Sequence, residues 1–167
     1  YDGEISEDLF CGGAHIGDGI VVTAAHCVSD GHSSSLVVRF PHDPLYSNQD
    51  FNALYVKTHQ AYVDVTFGYD VAIIKIDSFN GNYPEKVNLL DSNQYLNLGS
   101  AEEFEVIGYG NTSLITTVVP MFLQRATLNR VSDSICENRY SSFGISLDGL
   151  MMCAAATGKD SCQGDSG

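Results

Sequence analysis

The sequence predicts an all-β protein, and three observations support that prediction. Apolar and polar residues alternate with a period of two in five short segments, at residues 36–40, 53–57, 71–76, 104–110 and 123–131. Turn-forming residues fill the stretches between them, as at 29–35, 77–86 and 111–117. One segment alone predicts a helix. Many short strands with few helices are typical of a β-sandwich or a β-barrel.

The five predicted strands differ in how clearly they alternate. Residues 71–76, Val-Ala-Ile-Ile-Lys-Ile, predict a strong strand. Residues 123–131 alternate imperfectly, because both faces mix apolar and polar side chains. One face carries Leu123, Arg125, Thr127, Asn129 and Val131, and the other carries Gln124, Ala126, Leu128 and Arg130.

The single predicted helix covers residues 132–140. Ser132 is a favourable N-cap residue, and Asp133 would lie near the positive end of the helix dipole. Cys136 and Tyr140 are four residues apart and therefore share one face. The polar, Asn-rich stretch at 77–100 is the best candidate for a linker, and the sequence has no repeat of fixed period.

Length, composition and charge limit the classes of function. A chain of 167 residues with 44% apolar and 17% charged residues suits one folded domain or two small ones. The sequence contains no run of eighteen apolar residues, so it predicts no membrane-spanning helix. The net charge of −13 disfavours nucleic acids and anionic membranes as partners, since both are polyanions. The charge favours cationic substrates, or it simply keeps a secreted protein in solution.

Three short motifs place a His, an Asp and a Ser in a meaningful order. His26 follows an apolar run, Asp70 precedes a strong predicted strand, and Ser166 stands in Gly-Asp-Ser-Gly. Taken singly, these residues would be a core histidine, a turn aspartate and a loop serine. Taken together, they follow one of the three known chain orders of the acyl-transfer triad.

The chemistry of acyl transfer explains why these residue types are needed. A serine hydroxyl attacks a carbonyl only when a neighbouring imidazole takes its proton. A buried carboxylate must hold that imidazole in one tautomer and stabilise its charged form. The oxyanion that forms needs convergent donors, and the backbone amides of Gly164 and Ser166 can serve if the loop turns sharply at the glycine.

Five segments together carry a specific family resemblance: CGGAHI, VVTAAHC, DVAIIKI, VIGYGNT and GKDSCQGDSG. They resemble the trypsin/chymotrypsin family of serine endopeptidases over nearly the whole chain. The resemblance implies two antiparallel Greek-key β-barrels, with residues 1–88 forming the first barrel without its first strand and residues 89–167 forming part of the second. It implies that His26 is the general base, Asp70 the orienting carboxylate and Ser166 the nucleophile, with the amides of Gly164 and Ser166 as oxyanion donors.

The resemblance also implies a substrate preference. Asp160, six residues before Ser166, matches the carboxylate at the floor of the specificity pocket in trypsin-like members. A carboxylate there would pair with Lys or Arg, so the expected partners are protein or peptide substrates with Lys or Arg, and proteinaceous inhibitors. Asp160 could instead be one more solvated loop acid. Two alternatives remain open: a chymotrypsin-like specificity, and a catalytically silent homologue that acts as a binding module.

The five cysteines fit the same resemblance. It pairs Cys11 with Cys27 and Cys136 with Cys153, and it places the partner of Cys162 beyond residue 167. Disulfides imply an oxidising compartment and hence secretion. A metal site formed by Cys11, His15, His26 and Cys27 is the alternative, but the spacing fits no zinc pattern. Residues 39–50 lack the spaced Glu ligands expected of a calcium site. We therefore expect no metal and no cofactor, and a structural or surface role for His15, His32, His42 and His59.

Three further expectations concern modification and the two chain ends. Asn111-Thr112-Ser113 is a sequon, so Asn111 is a candidate acceptor of an N-linked glycan. In the family, the acid beside the nucleophile, here Asp165, pairs with the free N-terminal amine created when a zymogen is processed, and Tyr1 does not match that amine. The resemblance continues past Ser166 in other members, so we expect residues 1–167 to be a fragment with little or no activity alone.

Overall fold

The protein consists mainly of short antiparallel strands. The computed structural model describes residues 9–29, 35–40, 49–99, 102–113, 120, 122–147 and 149–167. In those ranges the strands are β1 (Ala14–Gly17), β2 (Ile20–Thr23), β3 (Val37–Arg39), β4 (Asp50–Thr58), β5 (Ala72–Ile76), β6 (Glu103–Gly108), β7 (Gln124–Val131) and β8 (Cys153–Ala155). The helices are α1 (Ser92–Leu96) and α2 (Asp133–Ser141), and one 3-10 turn covers Ala25–Cys27. Among the described residues, neither helix has the length and apolar character needed to cross a membrane.

The chain divides into two compact units. The first unit contains Cys11–Tyr62, Asp70–Leu89 and Ser166–Gly167. The second contains Val63–Tyr69 and Leu90–Asp165, together with Leu9 and Phe10. The division of the sequence at residues 88 and 89 into two barrels stays a prediction.

A five-stranded antiparallel sheet forms the first unit, in the order β1-β2-β5-β4-β3. Its pairing register shifts between His15 and Gly17 in β1 and between Ala53 and Tyr55 in β4. Irregularities of this kind increase the local twist of a strand, so the sheet curls instead of lying flat. The prediction of an all-β, trypsin-like fold is confirmed by this curled sheet and by the second sheet described below.

The core of the first unit lies on one face of the central strand β5. Every second residue of that strand, Ala72, Ile74 and Ile76, is buried. Val21 of β2 and Phe51 of β4 pack against the same face, and Phe51 meets the ring of Phe40 edge-on at 5.4 Å between centroids. This period-two burial is the signal that predicted β5 from the sequence.

The second unit contains a three-stranded antiparallel sheet in the order β6-β7-β8. Leu128 is the buried residue of β7, which settles the face that the imperfect alternation had left open. A disulfide joins Cys136 of α2 to Cys153 of β8, so the helix is fixed to the edge of this sheet. The pairing implied by the family resemblance is therefore confirmed, as is the pairing of Cys11 with Cys27 in the first unit.

The structure adds elements that the sequence pattern did not predict. Strands β1, β2 and β8 have only three or four residues each, too few to show a clear alternation. Helix α1 lies inside the stretch expected to be a linker, where Asp91 and Gln94 form a capping box. That motif is a helix-start signal that is visible in the sequence.

The cap of α2 also differs in detail from the prediction. Ser132 is the N-cap residue as expected, but its side chain makes no capping hydrogen bond. Its hydroxyl lies 3.4 Å from that of Ser134, while its backbone carbonyl accepts from the amides of Ile135 and Cys136. The hydroxyl therefore contributes less to this helix than the sequence suggested.

A cross-strand ion pair between β3 and β4 predicts a pH-dependent part of the stability. Arg39 and Asp50 face each other, with Nε and Oδ1 2.7 Å apart, and this hydrogen bond lowers the pKa of Asp50. The folded state therefore holds the Asp50 proton less tightly than the unfolded state, so the pair stabilises above about pH 4 and the gain is lost as pH falls below that value. The pair is half-exposed, so its contribution is at most about 1 kcal/mol.

We expect Asp50→Asn to lower the free energy of unfolding at pH 7 by up to about 1 kcal/mol and to have little effect at about pH 2.5. Urea unfolding of both proteins at the two pH values measures this difference. A loss of the same size at both pH values would show that the carboxylate charge is not its cause.

Candidate active site

His26 is held at one end of the five-stranded sheet by a short turn and a disulfide. The chain leaves β2 at Thr23 and enters the 3-10 turn, in which Ala25 is fully buried. The next residue, Cys27, is joined to Cys11. A buried alanine on one side and a covalent cross-link on the other fix the backbone that carries the imidazole.

The strand register brings Asp70 to the same end of the sheet. Thr23 of β2 pairs with Ala72 of β5, so the residues just after β2 and just before β5 are neighbours. Before β5, Gly68 and Tyr69 both have positive φ, 72° and 56°, and they turn the chain sharply into Asp70. Glycine adopts that conformation without strain, whereas tyrosine does so at a cost that the surrounding structure must offset.

Asp70 binds His26 through both carboxylate oxygens. Oδ1 accepts from the backbone amide of His26 at 2.9 Å, and Oδ2 lies 2.7 Å from its Nδ1. A carboxylate only accepts hydrogen bonds, so Nδ1 carries the imidazole proton and Nε2 is left as an acceptor. The side chains of His26 and Asp70 retain 36% and 23% of their exposure, so Nε2 stays within reach of a reacting group.

The backbone of Ser166 is hydrogen-bonded to the loop at Cys11 and Gly12. A disulfide joins this loop to the turn that carries His26. The carbonyl of Ser166 accepts from the amide of Gly12 at 2.6 Å, and the Gly12 carbonyl accepts from the hydroxyl of Thr23 at 2.8 Å. Sγ of Cys27 lies 3.6 Å from Nε2 of His26 and 3.9 Å from the carbonyl oxygen of Ser166. The structure thus brings His26, Asp70 and the backbone of Ser166 together in the first unit.

The glycine after Ser166 is required by a close approach. Gly167 has a φ of 118°, and a Cβ at this position would collide with the carbonyl of Gly12 and the hydroxyl of Thr23. No other residue fits here without moving the Gly12 loop. The final glycine of Gly-Asp-Ser-Gly therefore allows the chain to lie against that loop.

Asp165 is held by backbone amides of the second unit. Its Oδ1 accepts from Gly110 at 2.7 Å and its Oδ2 from Cys162 at 2.9 Å. A Cβ on Gly108 or on Gly110 would overlap this carboxylate, which explains the two glycines on either side of Tyr109. Burial raises the pKa of the Tyr109 phenol. The pairing of Asp165 with a free N-terminal amine stays a prediction, and residues 1–8 lie outside the described residues.

The loop at 163–165 turns as the sequence suggested. Gly164 has a φ of 96°, which only glycine adopts readily. The carbonyl of Gln163 accepts from the amide of Asn111 at 2.8 Å. Because the C=O and N–H of a trans peptide point in opposite directions, the N–H of Gly164 points away from Asn111. Within the described ranges, the amides of Gly164 and Ser166 donate no hydrogen bond to the protein.

Three other predicted site residues lie in the second unit. Asp160 is exposed, and its Oδ1 accepts from the backbone amide of Ser161 at 2.9 Å. Cys162 has no disulfide partner among the described residues. Asn111 is half-buried and its side chain bonds to the backbone of Ser113, so the sequon asparagine is part of a turn.

The metal alternative fails on the state of the sulfurs. Ligand atoms of Cys11, His26 and Cys27 lie within 4.8 Å of one another, but the two sulfurs form a disulfide and are not thiolate ligands. His15 is buried instead, with Nδ1 on the carbonyl of Glu85 and Nε2 accepting from the amide of Gly19. Its predicted structural role is confirmed. The segment considered for calcium lies largely outside the described residues, as do His32 and His42.

Four residues that support the site were not predicted from the sequence. Gly12 and Thr23 anchor Ser166, and Gly108 and Gly110 make room for Asp165. The paired glycines of CGG and GYG were the available signal, because a glycine often marks a close approach of backbone. Which residue approaches each of these glycines in the folded chain cannot be predicted from the local sequence.

Comparison with known proteins identifies the family of the chain. A family model described as Trypsin matches residues 3–167. Trypsin beta of Drosophila erecta is 34% identical over 160 residues, covering 94% of this chain and 62% of that protein. Trypsin delta of Drosophila melanogaster is 34% identical over 161 residues with the same coverage. Hypodermin-A of Hypoderma lineatum is 30% identical over 159 residues. The chain spans about 62% of the length of the first two relatives.

Proposed function

Because the chain belongs to the trypsin family, we propose that the protein is a secreted serine endopeptidase that cleaves peptide bonds after Lys or Arg. The observation that carries the proposal is the two-point contact between His26 and Asp70, with the Ser166 backbone anchored to the loop that is disulfide-linked to His26. This contact leaves Nε2 of the imidazole as a proton acceptor, which is what a serine nucleophile requires.

In the proposed first half-reaction, Oγ of Ser166 attacks the scissile carbonyl carbon while Nε2 of His26 takes the hydroxyl proton. Asp70 remains ionised and stabilises the imidazolium through the hydrogen bond on Nδ1. The tetrahedral intermediate collapses when the C–N bond breaks and the imidazolium gives its proton to the leaving amine. Ser166 is then the ester of an acyl-enzyme.

Water completes the cycle in the proposed second half-reaction. His26 takes a proton from the water, whose oxygen attacks the ester carbonyl, and then returns a proton to Oγ of Ser166 as the acid is released. The backbone amides of Gly164 and Ser166 would stabilise the oxyanion in both halves. Their lack of protein acceptors within the described ranges supports that role.

The proposed preference for Lys and Arg rests on Asp160 and on the names of the relatives. Asp160 is an exposed carboxylate in the loop that precedes Ser166, and the first two relatives are named trypsins. Its bond from the Ser161 amide leaves the second carboxylate oxygen for a cationic substrate group. The net charge of −13 would further favour cationic peptides and cationic inhibitor loops.

Secretion and activation from a zymogen belong to the same proposal. Two disulfides are stable in an oxidising compartment, and this supports export. Asp165 already accepts two backbone amides, and a carboxylate has further lone pairs for a cationic amine. We expect such a pairing to strengthen the hold on the loop that precedes Ser166.

A serine-directed phosphonate tests the proposed nucleophile. The protein is expressed from its complete coding sequence, treated with an aryl phosphonate carrying an Arg-like group, and analysed by peptide mass spectrometry. We expect one adduct, on Ser166, and none in His26→Gln. Absence of the adduct in the parent protein would indicate a silent homologue, and the matched variant Ser161→Ala should be labelled normally.

The specificity prediction is tested by Asp160→Ser. This change removes the carboxylate that would pair with a guanidinium, so kcat/KM for an Arg amide should fall by about 10³-fold or more. Activity on the matched Phe amide should change by less than about tenfold. A parent protein that prefers Phe would support the chymotrypsin-like alternative. Lys159→Ser is the matched control, since it alters a neighbouring exposed charge.

A further inference from the structure

Two successive backbone amides of the loop at 110–113 donate hydrogen bonds to the loop before Ser166. The amide of Gly110 donates to Oδ1 of Asp165 at 2.7 Å, and the next amide, that of Asn111, donates to the carbonyl of Gln163 at 2.8 Å. Both contacts lie within the second unit. Two adjacent amides can meet two separate acceptors only while the backbone at 110–111 keeps one conformation.

The side chain of Asn111 fixes that conformation on its C-terminal side. Its Nδ2 donates to the carbonyl of Ser113 at 2.8 Å, and its Oδ1 accepts from the amide of Ser113 at 3.2 Å. The side chain thus closes a ring over residues 111–113 with one donor and one acceptor. Asparagine is the residue that supplies both groups at this reach, because Asp only accepts and Gln is one methylene longer.

We infer that Asn111 is a positioning residue for the N–H of Gly164, which is the proposed oxyanion donor. The turn closed by Asn111 holds its own amide on the Gln163 carbonyl. That bond sets the orientation of the planar peptide between residues 163 and 164, and therefore the direction of the Gly164 N–H. The inference rests on the proposed function for its catalytic consequence, but not for the contacts themselves.

The positioning role explains the presence of Asn111 at this site without an attached glycan. The two bonds that close the turn use only backbone atoms of Ser113, whereas recognition as a sequon requires its hydroxyl. The two explanations are therefore separable by mutation. Ser113→Ala removes the sequon and retains both bonds, whereas Asn111→Ala removes the sequon and both bonds.

The experiment compares these two variants with the parent protein and with Asn111→Asp, all made in a host that attaches no N-linked glycans. We expect Asn111→Ala to lower kcat about tenfold with KM changed less than about twofold, since the donor acts on the transition state. Asn111→Asp keeps the acceptor and should lose about threefold. Ser113→Ala retains the backbone atoms of both bonds and should lose less activity than Asn111→Ala.

Two inhibitors distinguish a displaced Gly164 N–H from a general loss of order around Ser166. A peptide aldehyde forms an oxyanion on Ser166, so its Ki should rise about tenfold in Asn111→Ala. Benzamidine forms no oxyanion and would bind Asp160, so its Ki should change less than about twofold. Equal weakening of both inhibitors, or an unchanged aldehyde Ki, would overturn the inference.

A readout without activity separates this inference from the proposed function. The protection of the backbone amide at position 111 against exchange, corrected for the intrinsic rate of each residue, should be about tenfold lower in Asn111→Ala than in Ser113→Ala, because the bond of this amide to Gln163 is no longer held. If the parent protein is neither labelled nor active, the proposed function fails and this protection still decides the inference. Equal protection in the two variants would overturn it.

Discussion

Replacing Asp70 with Asn is expected to lower kcat by about 10⁴-fold, the loss found when a triad carboxylate becomes an amide. The two-point contact gives the physical reason. The backbone amide of His26 needs an acceptor, so it selects the oxygen of the new carboxamide at the position now occupied by Oδ1. The NH₂ group then faces Nδ1 of His26 at the position of Oδ2.

This orientation moves the imidazole proton to the wrong nitrogen. Nδ1 must accept from the carboxamide, so the neutral ring carries its proton on Nε2 and cannot take one from Ser166. The contacts themselves survive, so binding and stability should change little. We expect KM to remain within about threefold of the parent and the unfolding midpoint to be nearly unchanged.

Asp77→Asn is the matched control for this prediction. Asp77 follows the other end of β5 and also uses both oxygens, accepting from the backbone amide and the side-chain Nδ2 of Asn52. The variant makes the same change of charge beyond the opposite end of β5, away from His26. Its kcat should stay within about twofold of the parent. A similar loss in both variants, or a loss below about tenfold in Asp70→Asn, would contradict the proposed role of Asp70.

The parts of the fold that the sequence predicted are those with a local cause. Every second residue of strand β5 is buried over its five residues, and a strand of this kind can be predicted from the local sequence alone. The approach of His26 and Asp70 was expected from motif order and family resemblance, while its geometry depends on the pairing of Thr23 with Ala72. Register is a property of two strands and is not written in either alone.

What the sequence could not predict depends on contacts between distant segments. The hydrogen bonds from Gly12 to Ser166 and from Asn111 to Gln163 join residues that are far apart in the chain. Asn111 is a candidate glycan acceptor from the sequence because a sequon is a local pattern. Its turn with Ser113 is equally local, but what that turn holds in place becomes visible only in the folded chain.

Replacing Phe51 with Ala is expected to cost about 3–5 kcal/mol of the free energy of unfolding. Phe51 is 1% exposed and belongs to the buried cluster with Val21, Ile74 and Ile76. The loss combines the transfer free energy of a phenyl ring with that of the cavity left behind, and the edge-on contact with Phe40 is lost as well. Urea unfolding monitored by far-UV circular dichroism measures it.

Leu54→Ala is the matched control, because Leu54 lies on the same strand with 61% of its surface exposed and should cost less than about 0.5 kcal/mol. Phe51→Leu should fall between the two. Because β2 and β5 both pack on Phe51 and lead to His26 and Asp70, the Phe51→Ala cavity lies under the strands that set the geometry of the site. Its loss of activity should therefore grow with urea at concentrations where Leu54→Ala is still active. Equal stabilities of the two alanine variants would show that this cluster is not what holds the sheet together.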